Sequence, residues 1–203
     1  MISLLSKEQM KFIFDNYMIK DFPKSELKPW KKIENGLLQD SYFAYGMFED
    51  TVIHGESSNI KGNGCVDGLK AYAFFIKSNK FNTYLLDYFA VLSGKRQSGI
   101  GSAYLQELKN IAVKDNKELI LEVENPYYES DPQKKENMLK RIQFYKKNHI
   151  NVSNVSCNFM SNEYRILYAS DKGNDEQIRE LTENVYRDFF GDKLVDNEVI
   201  FHD

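Results

Sequence analysis

Apolar residues first recur at a helical period. Ser6-Lys-Glu-Gln9 has the form of a capping box, and Met10, Ile13, Phe14 and Tyr17 follow on one face, predicting an amphipathic helix to about Tyr17. Pro23 ends any continuation. A short second helix over about Pro29 to Asn35 is expected to bury Trp30 and Ile33, with Gly36 as its stop. The pattern then turns to that of strands. Tyr42 to Phe48, Ala71 to Lys77 and Thr83 to Leu92 are rich in aromatic and branched residues, are bounded by Asp, Glu, Gly and Asn clusters, and read as successive antiparallel strands. Gly55 to Gly68, rich in Gly, Asn and Ser, is the loop between the first two.

After Gly101 the helical period returns, with Tyr104, Leu105, Leu108, Ile111 and Ala112 on one face. Leu119 to Val123 is a compact apolar strand. A helix crossing over between it and the strand ending at Leu92 implies that those two strands run parallel. Met138, Leu139, Ile142 and Tyr145 mark another helix ending near Asn148, and two strands, about Val152 to Met160 and Tyr164 to Ala169, read as a hairpin with a Ser-Asn turn. Ile178, Leu181, Thr182, Val185 and Phe189 give a last helix before a tail to Asp203. The order predicts an α+β fold with a mixed sheet.

Composition narrows the function classes. The chain has 203 residues, 42% hydrophobic and 28% charged, the make-up of a globular protein rather than a disordered one. An aromatic share of 14% calls for a core or cleft rich in rings. With 27 Lys+Arg against 30 Asp+Glu, the net charge of −3 argues against general nucleic-acid binding, and the lysines at Lys24, Lys28, Lys31 and Lys32 read as a solvated face. The longest apolar run, Ala71 to Ile76, is far short of the roughly 20 residues that span a bilayer, so no membrane association is expected. Lys7 and Glu8 follow Met1-Ile-Ser-Leu-Leu-Ser too closely for a secretory signal, which implies a cytoplasmic protein. Cys65 and Cys157 are accordingly expected to be reduced, and the sequons at Asn151 and Asn154 to be accidental.

The chemistry concentrates at Arg96-Gln-Ser-Gly-Ile-Gly101, between a predicted strand and a predicted helix, where glycines and the first N–H groups of a helix can cradle an anion. Gly94 and Gly99 have the spacing of a P-loop, but Ile100-Gly101 stands where Lys-Ser/Thr is required. Gly62-Asn-Gly64 begins like a dinucleotide fingerprint, yet Asp67 stands where the third glycine is due and a strand follows. What remains resembles the pyrophosphate-binding motif of the GNAT superfamily of acyl-CoA-dependent N-acyltransferases, Arg/Gln-x-x-Gly-x-Gly/Ala, filled here by Arg96, Gly99 and Gly101. Leu86-Asp-Tyr-Phe-Ala-Val91 is similar to that family's fourth strand and Leu119-Ile-Leu-Glu-Val-Glu124 to its fifth. Arg141-Ile-Gln-Phe-Tyr-Lys-Lys-Asn-His-Ile150 is similar to the helix bearing its Phe/Leu-Tyr pair, and the whole resemblance covers roughly Lys7 to Ser170. Departures include His149-Ile150 where the family usually has Gly-Phe, the extra segment Tyr127 to Glu136, and Asn137 one position off an asparagine that often contacts CoA.

The resemblance implies a single acetyltransferase domain over 1–203, with a core at about 7–170 and a C-terminal helical extension over 171–203. It implies a mostly antiparallel sheet whose parallel central strands splay apart, flanking helices, and acetyl-CoA as co-substrate. Phe89, Ala90 and Val91 would line pantetheine, with Arg96, Gln97, Ser98, Gly99, Ile100, Gly101 and Ser102 around the pyrophosphate. An alkylamine with a pKa near about 10 is roughly 0.1% neutral at pH 7, so a base near the acceptor is useful. Glu122 occupies the position that serves in some family members, and an apolar strand would raise its pKa toward the useful range, while by its residues alone it equally satisfies a buried polar neighbour or solvates the strand end. Glu124, on the same face, is the reserve. Tyr145 falls at the family's acid position, whereas its spacing from Met138 and Ile142 alone suits a core aromatic.

His54, His149 and His202 are too scattered to suggest a zinc site with the cysteines, and no metal is expected. Ser98 and Ser102 lack a histidine partner, which favours direct attack by the amine over a covalent route. The leading expectation is an acetyl-CoA-dependent N-acetyltransferase acting on a primary amine of a small molecule or peptide, and the alternative is a non-catalytic acyl-CoA-binding or sensing module. Acetylation of charged tRNA would call for a basic surface that the charge does not supply. Phe22, Trp30 and Tyr42 are candidates for lining the acceptor site or for the core, and homodimer formation is left open.

Overall fold

A computed structural model describes residues 1–49, 66–96, 98–170 and 173–202. The chain divides into two units, one of Met1–Phe75 with Tyr88–Glu107 and one of Ile76–Asp87 with Leu108–Asp203. The strands follow the order β1-β2-β3-β4-β5-β7-β6-β8 in one eight-stranded sheet.

In the first unit, Ser6 closes the expected capping box: its hydroxyl accepts the Gln9 N–H at 3.3 Å while Gln9 Oε1 accepts the Ser6 N–H at 2.8 Å. Helix α1 (Lys7–Ile13) passes into a π-helical turn (Phe14–Met18) and α2 (Ile19–Asp21), with Met10, Ile13 and Met18 fully buried. Helix α3 (Trp30–Leu38) runs past Gly36, which the sequence suggested as its stop. Gly36 is instead buried inside the helix, its carbonyl takes the Ser41 N–H at 2.8 Å, and the turn out of the helix falls at Asp40 with φ +53°. Strand β1 (Ile2–Leu4), too short for its alternation to be legible, pairs antiparallel with β2 (Tyr42–Phe48), placing Ile2 opposite Met47. Tyr42 and Phe74, with ring centroids 6.2 Å apart, sit in this core.

Strands β3 (Leu69–Lys77) and β4 (Thr83–Val91) and helix α4 (Ile100–Lys114) are continuous across the unit boundary. In the second unit, β4 pairs parallel with β5 (Glu118–Glu124), from Thr83↔Glu118 to Leu86↔Leu121, as the crossover required. The register comprises those pairs, while β4 itself runs on to Val91 and β5 to Glu124. Helix α5 (Pro132–Lys147) starts inside the segment expected to be an insertion, because Asp131 caps it by accepting the N–H groups of Gln133 at 2.8 Å and Lys134 at 3.0 Å, with Pro132 at the first position.

Strands β6 (Asn151–Phe159) and β7 (Asn162–Tyr168) form the expected hairpin, but its two-residue loop is Met160-Ser161, both left-handed at φ +50° and +67°, one residue earlier than the Ser-Asn reading. Helix α6 (Asp175–Phe190) is capped by Asn174 and stops at Gly191, φ +89°. The expected helical tail holds a short helix α7 (Asp192–Glu198) and then a strand, β8 (Val199–His202), which pairs antiparallel with β6 from Phe159↔Val199 to Ser156↔His202. The core of this unit includes Leu85, Ile120, Ile166, Leu167, Val185 and Tyr186. Among the described residues no helix is long and apolar enough to cross a membrane.

Candidate active site

Past Val91 the chain takes a 3-10 turn (Ser93–Lys95) toward α4. The turn is held by its own polar groups: the Lys95 N–H donates to Leu92 O at 2.8 Å, the Ser98 hydroxyl to Lys95 O at 2.7 Å, and Arg96 Nε to Val91 O at 3.1 Å. Gly99 has φ +77°, a conformation that costs an L-residue about 1–2 kcal/mol. Its carbonyl accepts the Ala103 N–H at 3.0 Å, so the N–H groups of Ile100, Gly101 and Ser102 have no acceptor within the helix. An ideal Cβ at Gly99 meets no described atom within 4 Å, so the space beside the glycine is open. A cradle of this kind suits a phosphate-bearing ligand. Gln97, the remaining motif residue, lies outside the described residues.

Arg96 brings the cation. Its Nη2 is 3.6 Å from Asp21 Oδ1, and Asp21 Oδ2 accepts the Tyr72 hydroxyl at 2.7 Å. Tyr72 is fully buried, and burial, with Asp21 beside it, raises its pKa so that it stays a donor. On the adjoining strand end Ala90 is buried, with Phe89 and Val91 half-buried. The Phe89 ring stacks on Tyr104 at 5.6 Å, and the Tyr104 hydroxyl donates to Tyr45 O at 2.7 Å, fixing the first turns of α4. The roles of Asp21, Tyr72 and Tyr104 escaped the sequence reading because they depend on hydrogen bonds to residues 51 and 59 positions away.

The second unit carries the two candidate proton-transfer groups. Glu122 is half-buried on β5, opposite Ile166 of β7, and its Oε1 accepts a hydrogen bond from the Tyr186 hydroxyl of α6. Glu124 forms an ion pair with Arg141 of α5. Tyr145 is only 6% exposed, meets Phe144 edge to face at 5.3 Å, and has its pKa pushed up to about 12 by burial, which the Arg141 charge partly opposes. Like any tyrosine it is protonated at neutral pH, and the upward shift makes it a weaker acid than a free phenol. Tyr186 shares the helical stripe of Ile178, Thr182 and Val185, four residues beyond Thr182, a spacing that marks it as inward-facing but does not reveal its partner.

Of the acceptor-lining candidates, Tyr42 is a core residue, Phe22 packs edge to face on Tyr88 at 4.9 Å, and Trp30 lies 5.5 Å from Phe14 with Lys11 over its ring. Cys157 is free and buried, and Cys65 and His54 lie outside the described residues. The Asn151 and Asn154 side chains are engaged by Ser170 O and Asp175, respectively. Among the described residues no cluster of His, Cys, Asp and Glu is placed to hold a metal ion.

No family model and no curated protein matches the chain. Solved structures do. A protein from Bacteroides thetaiotaomicron described as a GNAT-family acetyltransferase superposes with a TM-score of 0.69 over 94% of this chain and 98% of its own, at 12% identity. The chain has the GNAT acetyltransferase fold. A Bacillus subtilis acetyltransferase solved in complex with CoA covers 82% of this chain and 95% of its own, with a TM-score of 0.53 and 13% identity. The ribosomal-protein-S18-alanine N-acetyltransferase of Escherichia coli covers 85% and 96%, with a TM-score of 0.52 and 16% identity. In this GNAT fold the parallel β4–β5 pair and the glycine turn ahead of α4 fall where the motif resemblance put them.

Proposed function

We propose that this protein transfers an acetyl group from acetyl-CoA to a primary amine of a small molecule or peptide by direct attack. The observation that carries the reading is the Gly99 turn: left-handed, uncovered, and opening a helix with three N–H groups that lack helical acceptors, in a GNAT fold. These residues fit a pyrophosphate. Ile100, Gly101 and Ser102 would bind it through backbone N–H groups and Arg96 through its charge, with Phe89, Ala90 and Val91 along the pantetheine arm. Acetyl-CoA supplies the activated acyl carbon. Glu122 would take the proton that the ammonium form of the acceptor must lose, and the Tyr145 hydroxyl would supply one to the departing thiolate.

Support for the amine acceptor comes from similar proteins only: the E. coli relative is named for acetylating an alanine of ribosomal protein S18. The test is CoA release from acetyl-CoA across a panel of amines, polyamines, amino acids and peptide N-termini, with the amide identified by mass. At least one amine should give CoA and amide in equal amounts. Saturable acetyl-CoA binding with no release on any amine would make the protein an acyl-CoA-binding module instead.

A further inference from the structure

The polar groups behind Glu122 form a directed chain. The Tyr186 hydroxyl, fully buried, donates to Glu122 Oε1 and lies 3.8 Å from Cys157 Sγ. An ionised carboxylate only accepts, so the single phenolic proton points at Glu122 and the thiol proton is left to point at the phenol oxygen. Each member thus polarises the next toward the carboxylate. Rings enclose the chain: Phe159 lies 5.1 Å, Phe190 5.9 Å and Phe201 6.4 Å from the Tyr186 ring. The tyrosine comes from α6 and Phe201 from β8, both beyond the residues that carry the motif resemblance.

We infer that Tyr186, backed by Cys157, is a positioning residue that orients the Glu122 carboxylate and keeps it ionised for proton transfer, so that the C-terminal segment α6–β8 is part of the machinery rather than an appendage. The inference rests on the reading of Glu122 as the base. A donor to the charged form favours it, so the phenol, fixed by the rings around it, favours the ionised Glu122 carboxylate and holds one of its oxygens in place. Burial, together with the Glu122 charge, raises the pKa of Tyr186 well above its ordinary value, so the donor does not ionise in the working range. Burial pushes the Cys157 thiol up to about 12, which keeps its proton on as well.

Several charged groups on the elements packed around this cluster have partners of their own, and Arg179 of α6 lies 5.4 Å over the Phe201 ring. On β5 Glu124 is paired with Arg141 of α5, and on β7 Glu163 is 3.2 Å from His202 of β8. Arg165 of β7 donates to Ser153 O at 3.1 Å. On α6 itself Glu183 is paired with Arg187, whose guanidinium also reaches Asp196 of α7 at 2.7 Å.

The experiment compares wild type, Tyr186→Phe, Cys157→Ala and Glu122→Gln. It reads the pH dependence of kcat with the best amine of the panel, and titrates the Glu122 carboxyl carbon by NMR in the protein without ligand. Tyr186→Phe keeps the ring and should leave the acetyl-CoA KM unchanged while lowering kcat about 10- to 100-fold. Its acidic limb and its Glu122 titration should both move up by roughly half to one pH unit, since a donor to the charged form has gone. Cys157→Ala should move both the same way by less, and Glu122→Gln should lose the limb. A Glu122 titration identical in wild type and Tyr186→Phe overturns the inference. A limb that survives Glu122→Gln overturns the base assignment instead, and an inactive wild type overturns the acetyl-transfer reading while the titration still decides what Tyr186 does.

Discussion

Around Gly99 the protein presents backbone, whereas around Glu122 it presents side chains gathered from β5, β6 and α6. The glycine turn needs no side chain at its centre: a positive φ, open space beside Gly99 and three N–H groups are set by Gly99 to Ser102. The Glu122 cluster depends on partners 29 to 64 positions apart in sequence and on the aromatic walls that enclose them. A backbone-built part tolerates change at its edges but little at the glycine. A side-chain-built part degrades by degrees as its members are removed.

The largest effect is therefore expected at the turn. Gly99→Glu places a charge and a side chain in the space beside the glycine and forces a left-handed glutamate, so turnover should fall below detection and acetyl-CoA should no longer raise the Tm, as it is expected to do by mass action in wild type. Gly99→Asn, which tolerates the left-handed region, separates strain from charge by recovering part of the Tm while leaving the approach partly obstructed.

Tyr145→Phe comes next. If Tyr145 is the acid, this should lower kcat by on the order of 10²- to 10⁴-fold with acetyl-CoA affinity and Tm preserved, because the ring remains and only its hydroxyl is lost. Equal kcat under conditions where chemistry limits the rate reduces Tyr145 to the core aromatic that its spacing alone suggested. Glu122→Gln should depress the rate most for amines of high pKa and partly recover as pH rises, when free amine no longer has to be generated.

The smallest effect lies outside the site. Asp188 of α6 accepts the Ser78 hydroxyl at 2.8 Å and the Asn79 N–H at 3.0 Å and meets Lys80 Nζ at 3.0 Å. Burial alone would raise its pKa, but Ser78, Lys80 and Asn79 together outweigh it and the folded value is lowered. A depressed carboxylate stabilises the fold above its unfolded pKa of about 3.9 and loses that contribution as pH falls through the folded value. Asp188→Asn should cost about 1–3 kcal/mol at pH 7 in urea unfolding, and the deficit should shrink as the pH drops below about 3.9. A deficit that persists undiminished in acid would mean that shape rather than charge holds this contact.

The contrast between the two regions also explains what could be read from the chain. The longer helices and strands and the glycine turn are properties of contiguous residues, and the parallel β4–β5 pair followed from the helix that crosses over between them, so periodicity and a six-residue motif were enough. Gly36 misled because a glycine reads as a stop, whereas here its carbonyl is needed by Ser41 and Asp40 takes the left-handed turn. Strands β1 and β8, three and four residues long, exist only because β2 and β6 offer edges to pair with, and nothing local announces them. Tyr186 was missed for the same kind of reason: its helical stripe shows that it points inward, and only the fold shows that it meets a carboxylate.

The central claim is a division of labour, with the glycine turn binding acetyl-CoA and the Glu122 cluster serving proton transfer. Calorimetric titration of acetyl-CoA into wild type, Gly99→Glu and Glu122→Gln tests it directly. Wild type and Glu122→Gln should bind with the same affinity, and Gly99→Glu should bind at least about 100-fold more weakly, a loss of roughly 2.7 kcal/mol or more. Undiminished affinity in Gly99→Glu, or a comparable loss in Glu122→Gln, would contradict the account.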